Sequence, residues 1–395
     1  MDANGIDRIV RLVAASRLSR RRAILGGALA VTASRAARSR ASAADAPLQS
    51  AITSVMRKSR YARSTWSLLV TDLASGETIY GLNPDRLALT GSVRKLFSVG
   101  LALRQLGADH RFTTPVHRAG AVDGQGALDG DLILVAAGDL TLGGRAAADD
   151  SIAFTDFDHN DANNLGTAIL TTQDPLHGLD ALAQGVRAAG IQRVSGDVVI
   201  DDRLFDPFRV PNQNLLITPI MVNENMVDVT ITPTTAGEAA TVVWRPHSGA
   251  FAVDAHVTTT AAGTPDTVTL SGGGRVECIG AAGCAGTVEG DIPADFRAPL
   301  SGQPELVQTF RIEDPAAFAR TAFIEALQRA GVTVAAAPVA PNPAAKLPAP
   351  DSYAADARVA QFVSPPYAAY ARLILKVSLN LGANLSLMLF ALAHG

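Results

Sequence analysis

The sequence predicts an α/β (α+β) multi-domain chain whose outer domain is split by a large, mixed and β-rich insertion. Three observations carry that expectation. At 395 residues the chain exceeds what one ordinary core organises. An apolar helical run, Leu87 to Gly107, follows directly on hairpin-like strands. From about residue 110 to 300 the texture changes to short strands punctuated by Gly and Asp, and helical patterns return after Glu313. The expected organisation is a signal peptide over 1–43, an outer domain from 44–110 and 300–395, and one or two inserted domains over 111–299.

The first 43 residues read as an address. Ser19-Arg20-Arg21-Arg22 precedes a short apolar run, Ala23 to Ala33, and Ala41-Ser42-Ala43 offers small residues at a cleavage position. Paired arginines before such a run fit the twin-arginine export route, with an ordinary secretory signal as the nearer alternative. The run is well below the ~20 residues that span a bilayer. A periplasmic or otherwise extracytoplasmic mature protein without a transmembrane span is therefore expected.

The whole chain has 34 Lys+Arg against 37 Asp+Glu. Residues 1–43 hold nine Arg and two Asp, so the rest carries 25 basic against 35 acidic residues, a net charge of −10. A chain that acidic, with no basic aromatic patch, is not expected to bind nucleic acid. At 48% hydrophobic and 18% charged residues its composition is globular. Cys278 and Cys284 bracket five residues of a Gly-rich segment and are the only cysteines. In an oxidising compartment a small disulfide loop is favoured over a metal site, with two free thiols as the alternative.

Taken in order, residues 48–58 read as a helix. Trp66 to Asp72 and Thr78 to Tyr80 read as strands joined by the turn Ala74-Ser75-Gly76-Glu77. Asn83-Pro84-Asp85 breaks the pattern. In the following helix Val93, Leu96, Phe97, Gly100 and Leu101 fall at helical spacing. Val99, Ala102, Leu103 and Leu106 fill most of the other faces, so the helix is expected to be buried on nearly all sides, with Gly107 as its stop. Ser92 and Lys95 are three residues apart and share one face. A buried lysine has a lowered pKa and can act as a base toward a neighbouring hydroxyl. The same tetrapeptide also reads as a capping serine followed by a surface lysine. With Ser92 near the helix start, backbone N–H groups and the helix dipole would face its oxygen.

Within the insert, strands are expected near 130–136, 196–202, 227–232, 240–244 and 267–270, with a helix from Gly178 to Gly190. Asp156, Asp158, His159, Asn160, Asp161 and Asn163 form an acidic cluster. It fails as a calcium loop, because the turn glycine is absent and Thr167 stands where the twelfth-position Glu belongs, so a polar loop is expected rather than a metal site. Glu313-Asp314-Pro315 opens a helix with an apolar stripe at Phe318, Ala319, Ala322, Phe323, Leu327 and Ala330, ended by Gly331. A Pro/Ala linker, 335–350, follows. Ser364-Pro365-Pro366 introduces a helix from Tyr367 to Lys376, then Ser378-Leu379-Asn380. Leu385 to Ala393 is nearly all apolar but too short to cross a membrane and reads as a core helix.

Ser92-x-x-Lys95 followed, after a long insertion, by Ser378-x-Asn380 resembles the active-site motifs of penicillin-recognising serine enzymes. The segments at 130–142 (GDLILVAAGDLTL), 194–205 (VSGDVVIDDRLF), 215–233 (LLITPIMVNENMVDVTITP), 313–332 (EDPAAFARTAFIEALQRAGV) and 376–384 (KVSLNLGAN) narrow this. They look like class C low-molecular-mass penicillin-binding proteins, the DacB-like D-alanyl-D-alanine carboxypeptidases and endopeptidases. The resemblance covers nearly all of 48–395 and implies a β-lactamase/transpeptidase-like serine-enzyme domain with the insertion between its first and second active-site motifs. It implies Ser92 as nucleophile toward D-Ala-D-Ala in peptidoglycan stem peptides, by way of an acyl-enzyme, and Lys95 as the base. Ser378 would relay a proton to the leaving D-alanine, and Asn380 would hold the substrate amide or orient Lys95. β-Lactam antibiotics would be inhibitors, and no cofactor or metal is called for.

The chain departs from the family pattern in two places. No Lys-Thr-Gly, the third motif, occurs in the sequence, and Ala383-Asn384 stands where many relatives have Ala-Glu. The expectation is a family member cut short before the third motif, lacking one oxyanion donor, which typically costs ~10²–10³ in rate. Loss of that strand would also leave an unpaired sheet edge. Two alternatives accompany this reading: a β-lactamase or esterase using the same Ser-x-x-Lys chemistry, and a non-catalytic peptidoglycan-binding protein.

Overall fold

The computed structural model describes residues 46–278, 281–350 and 352–394, and the expected signal peptide lies outside them. The chain divides into two units, one ending at Gly91 and one beginning at Ser92. In the described part of the first unit, helix α1 (Ala46–Met56) carries the buried Leu48 and Ile52. Strands β1 (Leu68–Thr71) and β2 (Thr78–Leu82) form the expected antiparallel hairpin, with Leu68 opposite Leu82. Asp72 shapes its turn by accepting from the backbone N–H groups of Ala74 and Ser75, each at 2.9 Å.

The second unit begins within the 3₁₀ turn Gly91–Arg94 and continues into helix α2 (Lys95–Leu106). Then come β3 (Thr113–Val122), β4 (Ala127–Val135), α3 (His177–Ala188), β5 (Arg193–Val194) and β6 (Val198–Asp201). A run of short strands follows: β7 (Phe208–Val210), β8 (Leu215–Ile217), β9 (Met226–Thr232), β10 (Thr241–Arg245), β11 (Ala252–Thr260), β12 (Thr269–Leu270), β13 (Arg275–Val276), β14 (Ala285–Pro293) and β15 (Leu306–Ile312). The chain closes with α4 (Pro315–Arg329), β16 (Thr333–Val334), β17 (Arg358–Val363), α5 (Tyr367–Lys376) and α6 (Asn380–His394). The expected strands and helices of the insert all appear, shifted by a residue or a few at their ends.

Strands β16, β5, β4, β3 and β17 follow one another in one sheet, with β6 also parallel to β4. β17 pairs antiparallel to β3, Val363 opposite Thr113, and β15 pairs antiparallel to β9 in a second sheet, β10-β9-β15-β13. A third sheet, β11-β14-β12, and the β7–β8 hairpin complete the β structure of this unit. Residues 306–363 thus share sheets with strands far earlier in the chain, β15 with β9 and β17 with β3. Sequence patterns mark elements but not partners.

Helix α4 begins where expected. Asp314 caps it by accepting from Ala317 N–H at 3.0 Å, and Pro315 occupies the first turn. It is buried on nearly all sides; even Arg320 is 1% exposed and is satisfied by Asp197 and the carbonyls of Ala337 and Pro338.

A second core gathers Val99 and Ala102 of α2, Phe112, Tyr367, Tyr370, Leu373 and Ile374 of α5, and Leu381, Leu385 and Leu389 of α6. Gly382 lets α5 and α6 approach, since a Cβ there would stand 2.6 Å from Ile374 Cγ1. Tyr370 donates to Asp139 Oδ1 at 2.6 Å, anchoring α5 to the segment after β4.

Helix α2 departs from expectation. Lys95, Ser98, Val99 and Ala102 are buried, but Leu96 is 58% and Phe97 71% exposed. Helices α5 and α6 pack on one side of α2 only, so its apolar residues do not all find cover. The tail 385–393 lies in α6, as expected of a core helix. No helix among the described residues is long and apolar enough to cross a membrane.

Candidate active site

Ser92 lies in the 3₁₀ turn and Lys95 is the first residue of α2. Ser378 lies between α5 and α6, and Asn380 opens α6. Close packing of these helices brings the two motifs together across 286 residues of chain. Lys95 Nζ lies 2.9 Å from Ser92 Oγ and 3.0 Å from Ser378 Oγ, and Ser378 Oγ lies 2.7 Å from Ser92 Oγ. The Ser378 backbone has φ +58°, a left-handed conformation uncommon outside glycine. Strain of this kind gathers where a side chain must be aimed.

The serine hydroxyl of Ser92 is exposed, whereas Lys95 is 6% exposed. Burial lowers the pKa of Lys95 below the ordinary lysine value, Arg94 pushes in the same direction, and Asp161 opposes them. A lowered pKa raises the neutral fraction that can accept a proton from a hydroxyl.

Among the described residues, Lys95 Nζ bonds the two serines and not Asn380. Asn380 Nδ2 donates to Gln213 Oε1 at 2.8 Å, and Gln213 Nε2 donates to Asp161 Oδ1 at 3.2 Å. Gln213 sits in the β7–β8 turn with φ +59°. Sequence reading missed it, because nothing in Pro211-Asn212-Gln213-Asn214 beyond turn chemistry marks a residue that reaches the second motif.

Behind Asp161, the acidic segment is not a solvated polar loop. Arg145 bonds both oxygens of Asp158, each at 2.7 Å, and Arg145 also pairs with Glu224. His159 Nδ1 lies 2.6 Å from Asp228 Oδ1, and its Nε2 lies 3.0 Å from Glu224 Oε2. Arg245 Nε donates to Asp228 Oδ2 at 3.1 Å. Asp158, His159, Glu224, Asp228 and Arg145 are all buried. Burial works against a charged His159, but the Asp228 and Glu224 carboxylates outweigh it and push its pKa up to about 10. Burial also penalises the charged form of Asp158, yet Arg145 holds its carboxyl below the ordinary range.

Asp158, His159 and Glu224 present possible ligand atoms within 4.8 Å of one another. Arg145, Arg245 and His159 face the carboxylates of Asp158, Glu224 and Asp228 there, and both His159 nitrogens already lie against carboxylates. This donor set suits an ion-pair network and not a divalent cation. Away from the site, Cys278 and Cys284 are joined by a disulfide.

A serine hydroxyl, a buried lysine and a second serine hydroxyl within hydrogen-bond range of one another are the arrangement of Ser-x-x-Lys acyl-transfer enzymes. The profile of the D-Ala-D-Ala carboxypeptidase 3 (S13) family matches residues 48–388, and the chain belongs to that family. It is 30% identical over 283 residues to a D-alanyl-D-alanine carboxypeptidase from Actinomadura sp. (strain R39), an overlap of 68% of this chain and 44% of the relative. Its fold is similar to that of penicillin binding protein 4 from Haemophilus influenzae, with a TM-score of 0.55 at 16% identity over 83% of this chain and 62% of that one. The same protein in complex with a β-lactam gives a TM-score of 0.50 at 16% identity, over 80% and 59% of the two chains. The chain thus spans about half the length of the curated relative it matches.

Proposed function

We propose that the chain is a serine-type D-Ala-D-Ala carboxypeptidase or endopeptidase of peptidoglycan that works through an acyl-enzyme on Ser92. The observation that carries this reading is the Ser92–Lys95–Ser378 triangle, with sides of 2.9, 3.0 and 2.7 Å. Neutral Lys95 takes the Ser92 proton as Oγ attacks the carbonyl of the penultimate D-alanine. The tetrahedral oxyanion is received by backbone N–H groups, that of Ser92 among them. Ser378 passes the proton to the leaving amine, the C–N bond breaks, and D-alanine or the cross-linked peptide departs. Water, deprotonated through the same groups, then hydrolyses the ester. Asn380 offers its amide to the substrate backbone. No cofactor takes part.

The reading extends to the setting of the protein: a twin-arginine signal over 1–43, an extracytoplasmic location, stem peptides ending in D-Ala-D-Ala as substrates, and β-lactams as covalent inhibitors. The inserted β-rich region divides the serine-enzyme domain, and its loops line one side of the site.

Covalent labelling of the purified chain with a fluorescent penicillin tests the assignment, with Ser92→Ala beside it. Labelling that disappears in the variant is the expected result. No labelling of a wild-type chain shown folded by circular dichroism would sink the enzyme reading and favour a peptidoglycan-binding role.

A further inference from the structure

We propose that the chain carries a second binding site, a shallow cleft between the β10–β11 turn and helix α4, which takes an N-acylated pyranose of a glycan strand. The sugar chemistry follows from the cleft itself, and its assignment to peptidoglycan rests on the proposed function. The cleft has a volume of about 630 Å³ and runs along the C-terminal end of α4. That volume falls within the roughly 300–1,000 Å³ of ordinary ligand sites. One wall is aromatic. Trp244 and His247 have ring centroids 4.8 Å apart and planes inclined at 57°. His247 is exposed and Trp244 partly so. The indole Nε1 is shut away from solvent and has no partner among the described residues, so the part of that side chain facing outward is ring carbon. An indole that offers carbon and no donor is a stacking surface.

The opposite wall is polar. Glu325, Gln328 and Arg329 stand at i, i+3 and i+4 on α4 and share one face. Glu325 Oε1 accepts from Gly249 N–H at 2.8 Å, which fixes the carboxylate and leaves Oε2 to a ligand. Gly249 permits this approach, since a Cβ there would stand 2.9 Å from Glu325 Oε1. Arg329 uses Nε and Nη2 on Asp180, at 3.2 and 2.6 Å, and keeps Nη1. Gln328 is exposed, and its amide can both donate and accept. One carboxylate and one guanidinium line the cleft and each already has a partner, so no ionic ligand is singled out. A carbon platform facing a row of mixed donors and acceptors suits a ring with C–H faces and a polar rim, which is a pyranose. The acetamido group of an N-acylated sugar, a donor beside an acceptor, matches the amide of Gln328.

The aromatic wall is held from beneath. Trp244 lies opposite Val229 in the β10–β9 pair and packs on the larger core. The next residue, Arg245, donates from Nε to Asp228 Oδ2 at 3.1 Å and from Nη1 to the carbonyls of Thr171 and Gln173. Phe251 N–H donates to Ser248 O at 3.1 Å and closes the turn that follows His247. A site whose side chains are fixed before the ligand arrives loses less freedom on binding. The proposed activity then meets its stem peptides on a chain already attached to the strand that bears them, which raises their effective concentration.

The test titrates the full chain with a tetramer of N-acetylglucosamine, a peptide-free probe, and follows binding by calorimetry. The chain has two tryptophans, so Trp66→Phe leaves Trp244 as the one reporter, and its emission should shift on binding. His247→Ala and Gln328→Ala, both at exposed positions and checked for fold by circular dichroism, should each weaken binding about tenfold. A glucose tetramer, which lacks the acetamido groups, should bind more weakly than the N-acetylated one. No binding to the wild type, an unmoved Trp244 emission, or wild-type affinity in both alanine variants would overturn the inference. Equal affinity for the two tetramers would overturn the N-acylated class of ligand. A wild type that binds the N-acetylated tetramer but takes no penicillin would overturn the proposed function and leave the cleft standing.

Discussion

Lys95 and His159 are cationic side chains of the same unit, 6% and 4% exposed, yet their pKa values move in opposite directions. At Lys95 desolvation prevails, because no carboxylate makes a direct bond to the ammonium and Arg94 adds like charge. At His159 two carboxylates touch the ring, and Arg145 and Arg245 balance the remaining charge. Burying a charge without its counter-charge yields a proton acceptor. Burying it with the full set of partners yields a rigid, inert brace. The two arrangements come near one another in sequence at Asp161, which lies two residues after His159 and raises the Lys95 pKa electrostatically.

The largest expected effect breaks the reactive half. Lys95→Ala should reduce penicillin acylation by about 10²–10⁴, the ordinary worth of a positioned general base, with little change in melting temperature. Stopped-flow fluorescence checks the rate and calorimetry the stability. Breaking the brace should do the reverse. Arg145→Met leaves Asp158 and Glu224 buried without their main partner, which should cost about 3–5 kcal/mol in chemical denaturation. Any loss of acylation in that variant should follow the unfolded fraction.

These two halves differed in how far the sequence revealed them. Ser92, Lys95, Ser378 and Asn380 were legible because a chemical role demands particular residue types at short spacings, and helical spacing placed Lys95 beside Ser92. The strands and helices were legible from periodicity and from turn residues such as Asp314-Pro315. The brace was not, because Arg145, Asp158, Glu224, Asp228 and Arg245 come from separate segments and each looks like an ordinary surface charge. Gln213 was hidden for the same reason. Sheet partnership was hidden too: nothing local in Arg358–Val363 says that it pairs with β3. The half-exposed face of α2 was misread because apolar spacing reports what could be buried and not what packs against it.

A pH series sharpens the comparison, because the two halves answer in opposite senses. The folded-state pKa of His159 is raised to about 10, against about 6.5 for an unperturbed histidine. Its contribution to stability is fully present below about pH 6.5 and is lost as the pH rises through about 10. Asp158 and Asp228 have lowered values, so their contribution is present above the unfolded value of about 3.9 and is lost as the pH falls through the folded one. Urea denaturation should therefore be most resisted between about pH 4 and 6.5. Acylation should instead climb with pH as Lys95 deprotonates, levelling off below the ordinary lysine value. Stability and rate rising together across the neutral range would contradict this account.

The smallest effect is also the most discriminating, because one substitution made at two positions should change sign. Ser378 has φ +58° and Glu224 φ +55°, both in the left-handed region where glycine is relieved of strain. That relief is worth about 1–2 kcal/mol, offset by the greater freedom glycine brings to the unfolded chain. Ser378→Gly gives up only hydroxyl contacts at the open site, so it should gain up to about 1 kcal/mol in stability while slowing acylation. Glu224→Gly relieves the same strain but strands Arg145 and His159 without a carboxylate, and the cost of the uncompensated buried charge should far exceed the relief. Paired thermal melts decide it. If both variants were stabilised, the network around Glu224 would be no brace; if both were destabilised, the backbone of Ser378 would carry no strain that the serine is kept to bear.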